Sequence, residues 1–164
     1  PVIFLEHKVM YDNECEVPDE QYAIPFGEAA FPRQGSDVTI VAISNMVTHA
    51  ITVADILAKE GISCDVIDPR TVSPLDHEAI LESVEVTGRL VIIDEGNPRC
   101  GLATDIAGIV AEHGFYSLKA PIRTVTAPHT PVPFAPELED AYLPNAEKLM
   151  VAVREVLAAG PSGA

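Results

Sequence analysis

The stretch VIIDEGNPRCGLATDI, residues 91–106, brings together groups that could do chemistry: the adjacent carboxylates Asp94 and Glu95, Arg99, and the Cys100 thiol at the threshold of a helical pattern. If the strand runs on through Asp94 and Glu95, their side chains point to opposite faces and cannot act as a facing acid/base pair. A cysteine near a helix N-terminus can have the lowered pKa a nucleophile needs. A thiol nucleophile also needs a base, and the local sequence supplies none. Cys100 therefore reads as a small buried side chain at a helix start.

Other sets of reactive residues are no better arranged. His7, His49, His77, His113 and His129 show neither H-x-x-x-H nor H-x-H spacing, so no metal site is assigned. His49, beside Ala50, reads as a partly buried, hydrogen-bonded side chain. No G-x-G-x-x-G or G-x-x-x-x-G-K-[ST] follows any strand pattern, so neither a dinucleotide nor an ATP fingerprint is present. Ser44 and Asn45 read as N-cap residues of the first helix. In DPRTVSPLD (68–76), Ser73, Pro74 and Asp76 fit a capping box with proline at the first helical position, and Asp68 could pair with Arg70. A loop after a parallel strand is also where such folds bind ligands, and both readings stay open.

The elements that must position these loops alternate from residue 37 onward. VTIVAI (38–43), CDVI (64–67), LVII (90–93) and residues 122–126 are short and β-branched, and the first and third are almost continuously apolar, as strands covered on both faces should be. Apolar stripes predict helices over about 46–60, 76–87, 101–113 and 145–158, with Gly61, Gly88 and Gly114 ending the first three. Alternation at this spacing predicts a three-layer α/β fold: a mainly parallel sheet joined by right-handed crossovers, with helices on both faces. Residues 9–36 read as a linker and a hairpin pairing Tyr22–Ile24 with Ala30–Arg33, and residues 158–164 as a disordered tail. PVIFLE at the start is expected to be the middle of a strand in a longer polypeptide.

Ten basic against 25 acidic residues give a net charge of −15. Such a surface repels phosphate backbones, so nucleic acid is not an expected partner, whereas a basic protein is. No apolar run approaches the ~20 residues of a membrane span, and no secretory leader pattern is present. Cys15, Cys64 and Cys100 are odd in number and far apart, which suits reduced thiols in a cytoplasmic protein. APHTPVPFAPELED (127–140) must begin extended and stiff because of its prolines. His129, Thr130, Pro131, Pro133 and Phe134 on that arm suit an interface.

Taken in order, PVIFLEHK, IPFGEAAFPRQGSDVTIVA, ADILAKEGISCDVIDPRTVSPLD, TGRLVIIDEGNPRCG, APIRTVTAPHTPVPF and LEDAYLPNAEKL resemble the β subunit of thiamine-diphosphate-dependent 2-oxoacid and acetoin dehydrogenases. The resemblance spans about residues 1–157 and covers that subunit's carboxy-terminal domain, the one shared with transketolases. NPRC and APHTPVPF look most like the acetoin-cleaving branch. The resemblance implies that residues 1–8 are the last strand of a preceding pyrimidine-binding domain and that residues 37–157 are the transketolase-type domain. It further implies that thiamine diphosphate and magnesium are held by segments not present here, so that no catalytic, cofactor or metal residue is assigned within this chain. The implied partners are an α subunit and a second β subunit in a heterotetramer, and the acyltransferase component. Glu139, Asp140 and the acidic 12–20 loop are the candidates for attracting that component's basic binding domain. Lys119 stands where the family often has an acid near the implied docking surface. The alternative is a free-standing, non-catalytic assembly domain of the same fold.

Overall fold

The structure, a computed structural model, describes residues 1–159. Strands β1 (Ala30–Arg33), β2 (Val38–Ala42), β3 (Cys64–Asp68), β4 (Leu90–Asp94) and β5 (Arg123–Thr126) form one sheet in the order β1-β3-β2-β4-β5. β2 runs parallel to both β3 and β4, and β5 runs parallel to β4. The four expected strands are all present. The expected hairpin is not: β1 pairs antiparallel with β3, Ala30 opposite Asp68, and takes the sheet's edge. A backbone that can join a long ladder beside a buried strand gains more than one closing an isolated two-stranded hairpin. The folded unit therefore takes in part of the segment expected to be a linker.

Helices α1 (Met46–Ala58), α2 (His77–Thr87), α3 (Leu102–His113), α4 (Pro136–Tyr142) and α5 (Ala146–Ala158) supply the other layers. Val38, Ile40 and Ala42 of β2 pack with Ala50, Val53 and Leu57 of α1 and Leu149, Val153 and Val156 of α5. On the other face, Val41, Ile67, Leu90 and Ile92 meet Ile80 and Val84 of α2 and Ile106 and Val110 of α3. Every residue of β2 and β4 is buried, as the continuous apolar runs require. Residues 1–7 make no strand within this chain, and Lys8–Met10 form one 3-10 turn. Of the tail expected to be disordered, Ala158 closes α5, and residues 160–164 lie outside the described residues.

Helix ends correct two expectations. The α2 N-cap is Asp76, whose side chain accepts from the Ala79 N–H, so Ser73 does not cap it. Asn45 occupies the α1 N-cap position but makes no side-chain capping bond. Asn145 does cap α5, accepting from Lys148 N–H. The short α4 begins at Pro136 with Glu137 and Glu139 in its first turn, an arrangement favoured by the helix dipole.

One polar chain runs through the otherwise apolar α2 face. Ser83 Oγ donates to the buried Asp65 carboxylate at 2.5 Å, Thr39 Oγ1 lies 2.7 Å from Ser83 Oγ, and Thr87 Oγ1 lies 2.8 Å from Thr39 Oγ1. Each hydroxyl has one proton, so with Ser83 spent on Asp65, Thr39 donates to Ser83, and Thr87 shares its proton between Thr39 Oγ1 and the Arg89 carbonyl 3.1 Å away. The row fixes α2 over β2 and β3. Ser83→Ala, which strands the buried carboxylate, should cost about 2–3 kcal/mol in urea denaturation, and Thr39→Val about 1 kcal/mol. An unchanged midpoint in both would show that the row does not hold the helix.

Candidate functional site

With four strands parallel, the loops that follow β2, β3, β4 and β5 all open on the same edge of the sheet. Antiparallel β1 brings the segment before it to that edge as well. Gly27 N–H donates to Thr71 Oγ1, and Ala29 N–H to Asp76 Oδ2. Three non-glycine residues here hold the left-handed backbone region at φ 55°: Ser44 after β2, Arg70 after β3 and Cys100 after β4. Such conformations cost free energy and concentrate where loops are tightly determined by their surroundings.

The DEGNPRCG turn is packed mainly by its own chain. Asp94 Oδ1 accepts the Gly96 N–H at 2.9 Å, and Thr104 Oγ1 donates to the Pro98 carbonyl at 2.6 Å. A side chain at Gly101 would strike the Asn97 carbonyl. Backbone fills the turn, and Cys100 is exposed rather than buried, correcting the expectation. Asp94 and Glu95 do serve separate ends: Glu95 Oε2 lies 3.0 Å from His7 Nε2. Asp68 makes no ion pair with the Arg70 side chain. It accepts the Arg70 backbone N–H at 3.0 Å. Burial pushes the Asp68 carboxyl up from its ordinary range, against that hydrogen bond and the guanidinium, which pull it down.

His129 Nδ1 lies 2.5 Å from Asn97 Oδ1, tying the proline arm to the turn after β4. Tyr142 O–H donates to the Thr130 carbonyl. Pro131 and Thr130 are exposed, Pro133 is half-buried, and Phe134 is 100% exposed. Glu139 and Asp140 lie exposed on α4, a helix with no buried residue. His49 is half-buried, but no hydrogen bond to its ring is present among the described residues. Lys119 is committed locally: its stem covers Gly88 and its Nζ reaches the Thr87 carbonyl at the end of α2, a favourable place for a cation. The edge also holds a cavity of about 420 Å³ between residues 2–7 and the loops after β2 and β3. No sequence signal points to the contacts of His7 with Glu95 or His129 with Asn97.

A mainly parallel five-stranded sheet in this order, with helices on both faces, is the architecture of a transketolase-type C-terminal domain. The sequence pattern of the family described as "Transketolase, C-terminal domain" matches residues 27–149, and the chain belongs to that family. It is 54% identical over 160 residues to the acetoin:2,6-dichlorophenolindophenol oxidoreductase subunit beta of Cupriavidus necator, covering 98% of this chain and 47% of that one. It is 44% identical to the pyruvate dehydrogenase E1 component subunit beta of Rickettsia felis, over 95% of this chain and 48% of the relative. Among solved structures, an inactive beta4 tetramer of a split-gene transketolase superposes with a TM-score of 0.74 at 29% identity, over 90% of this chain and 46% of that one. The chain spans about half the length of the curated relatives it matches.

The family's thiamine diphosphate raises a test of the donor set. Among the described residues, no group of three or more His, Cys, Asp or Glu side chains could hold a metal ion. The cavity sets Glu6 and Asp68 against the single guanidinium of Arg70, the wrong balance of charge for a diphosphate. These residues do not fit a magnesium diphosphate.

No helix among the described residues is long and apolar enough to cross a membrane. The three cysteines are free, with Cys15 and Cys100 exposed and Cys64 buried. Burial pushes the Cys64 thiol from 9.0 up to about 11. At pH 8 a thiol reagent should therefore label two cysteines in the native protein and three in guanidinium. Because the unfolded chain ionises this thiol first, folding should lose stability as pH rises from 9 towards 11. Equal labelling rates for all three thiols would contradict the packing around Cys64.

Proposed function

We propose that this chain is the carboxy-terminal domain of the β subunit of a thiamine-diphosphate-dependent dehydrogenase, on the acetoin-cleaving branch. The observation that carries the reading is the 54% identity over 98% of the chain to an acetoin oxidoreductase β subunit, against 44% to a pyruvate dehydrogenase β subunit. Its work is assembly. Thiamine diphosphate and magnesium belong to the preceding domain of the subunit and to the α subunit, whose partner surfaces are Val2–Leu5 and the arm bearing His129, Thr130, Pro131, Pro133 and Phe134. Exposed apolar side chains on both segments support this, because patches of that kind mark interfaces. In this reading residues 1–8 are the last strand of the preceding domain, and a second β subunit completes a heterotetramer. The acyltransferase docks by its basic domain, and the enzyme is cytoplasmic.

The test uses the full-length protein assembled with its α subunit. Dye reduction should show a kcat/KM for acetoin at least tenfold above that for pyruvate, about 1.4 kcal/mol of discrimination. A preference for pyruvate would overturn the branch assignment. In the same preparation, association with the acyltransferase should slow as salt rises, because exposed charges are screened beyond ~8 Å at physiological strength. Glu139→Lys with Asp140→Lys should slow it further. An on-rate indifferent to both would remove these residues from docking.

A further inference from the structure

His7 and Glu95 come from distant parts of the chain, yet their contact is largely enclosed, with the side chains 28% and 21% exposed. His7 Nδ1 is shielded from solvent and has no hydrogen-bond partner among the described residues. With Nε2–H donating to Glu95, Nδ1 carries only a lone pair. That is a milder fault than a buried N–H without an acceptor. Glu95 is thus the ring's polar partner, and removing it would leave both nitrogens uncompensated.

Glu95 is also well placed to hold something still. It follows directly on fully buried β4, and its neighbour Asp94 closes the turn through Gly96. On the other side, the Met10 N–H donates to the His7 carbonyl and the Tyr11 N–H to that of Lys8, while Tyr11 O–H donates to Glu6. The Phe4 ring centre lies 6.0 Å from that of Phe26. One side of the segment lines a cavity with the loop edge but is only lightly covered, Val2 being 62% and Phe4 76% exposed. The other is bare: Ile3 is 85% and Leu5 90% exposed.

We propose that Glu95 is a positioning residue whose carboxylate clasps His7, fixing where the polypeptide on the amino-terminal side meets this domain, so that Val2–Leu5 turn their bare apolar side to the preceding part of the same chain. The occupant rests on the reading that this chain belongs to a longer subunit, supported by relatives about twice its length. The clasp itself does not depend on that reading. It gives the DEG turn a role that acid/base chemistry did not: Asp94 makes the turn, and Glu95 makes the tether.

Hydrogen exchange read by mass spectrometry on the full-length protein tests this, through the Met10 and Tyr11 amides. Glu95→Ala and His7→Ala should each raise their exchange about five- to tenfold, and the double variant no further than the faster single one, since the two side chains act as a unit. Glu95→Gln, which keeps an acceptor for Nε2–H, should restore part of the protection. Unchanged exchange in Glu95→Ala, or effects that multiply in the double variant, would overturn the clasp. If the alanine variants exchange faster everywhere, the cycle of Glu95→Ser with His7→Asn, whose shorter side chains do not span the contact, decides by the same two criteria. Turnover plays no part in this readout, so an enzyme inactive on acetoin and pyruvate would refute the proposed function and leave the clasp standing. A native polypeptide that begins at Pro1 would overturn the proposed occupant.

Discussion

β2 has no solvent on either face and a parallel neighbour on each side, and from that burial the rest of the architecture follows. A parallel neighbour can be reached only by a crossover, and each crossover lays a helix on a face of the sheet. The path from β2 to β3 puts α1 on one face. The path from β3 to β4 passes over β2 and puts α2 on the other, with α5 and α3 completing the two layers. The single polar residue of β2, Thr39, is tolerated because its hydroxyl is placed within a row ending at Asp65.

The same constraint gathers the loops. Parallel strands deliver their carboxyl ends to one edge, so segments distant in sequence meet there. What they do on meeting is hold each other: Thr71 and Asp76 hold the chain before β1, Asn97 meets His129, and Glu95 meets His7. The carboxyl groups of Asp94 and Asp76 are occupied by backbone N–H groups. The edge ties chain to chain, and it carries outward apolar side chains, Phe134 above all.

The buried strands and long helices were legible because burial on both faces writes continuous apolar runs, and burial on one face writes a helical stripe. β1 was read as a strand at Ala30–Arg33 but with the wrong partner, since AFPR is half-exposed and β3 is distant in sequence. α4 was missed because it buries nothing and leaves no stripe. Pro136 followed by Glu137 and Glu139 was the available signal. Cys100 was expected to be buried because free thiols often are, but it sits exposed in the turn, at φ 55°. The His7 contact had no local signature at all. The family resemblance was readable from the loop motifs in order, and the matched family pattern bears it out.

In the proposed function this domain positions chain and partners while the cofactor's chemistry lies elsewhere in the enzyme. Calorimetric titration of residues 1–164 with thiamine diphosphate and magnesium tests it most directly. The account predicts no saturable heat up to millimolar cofactor, a bound of about −4 kcal/mol on any association. Saturable binding in the micromolar range would contradict it.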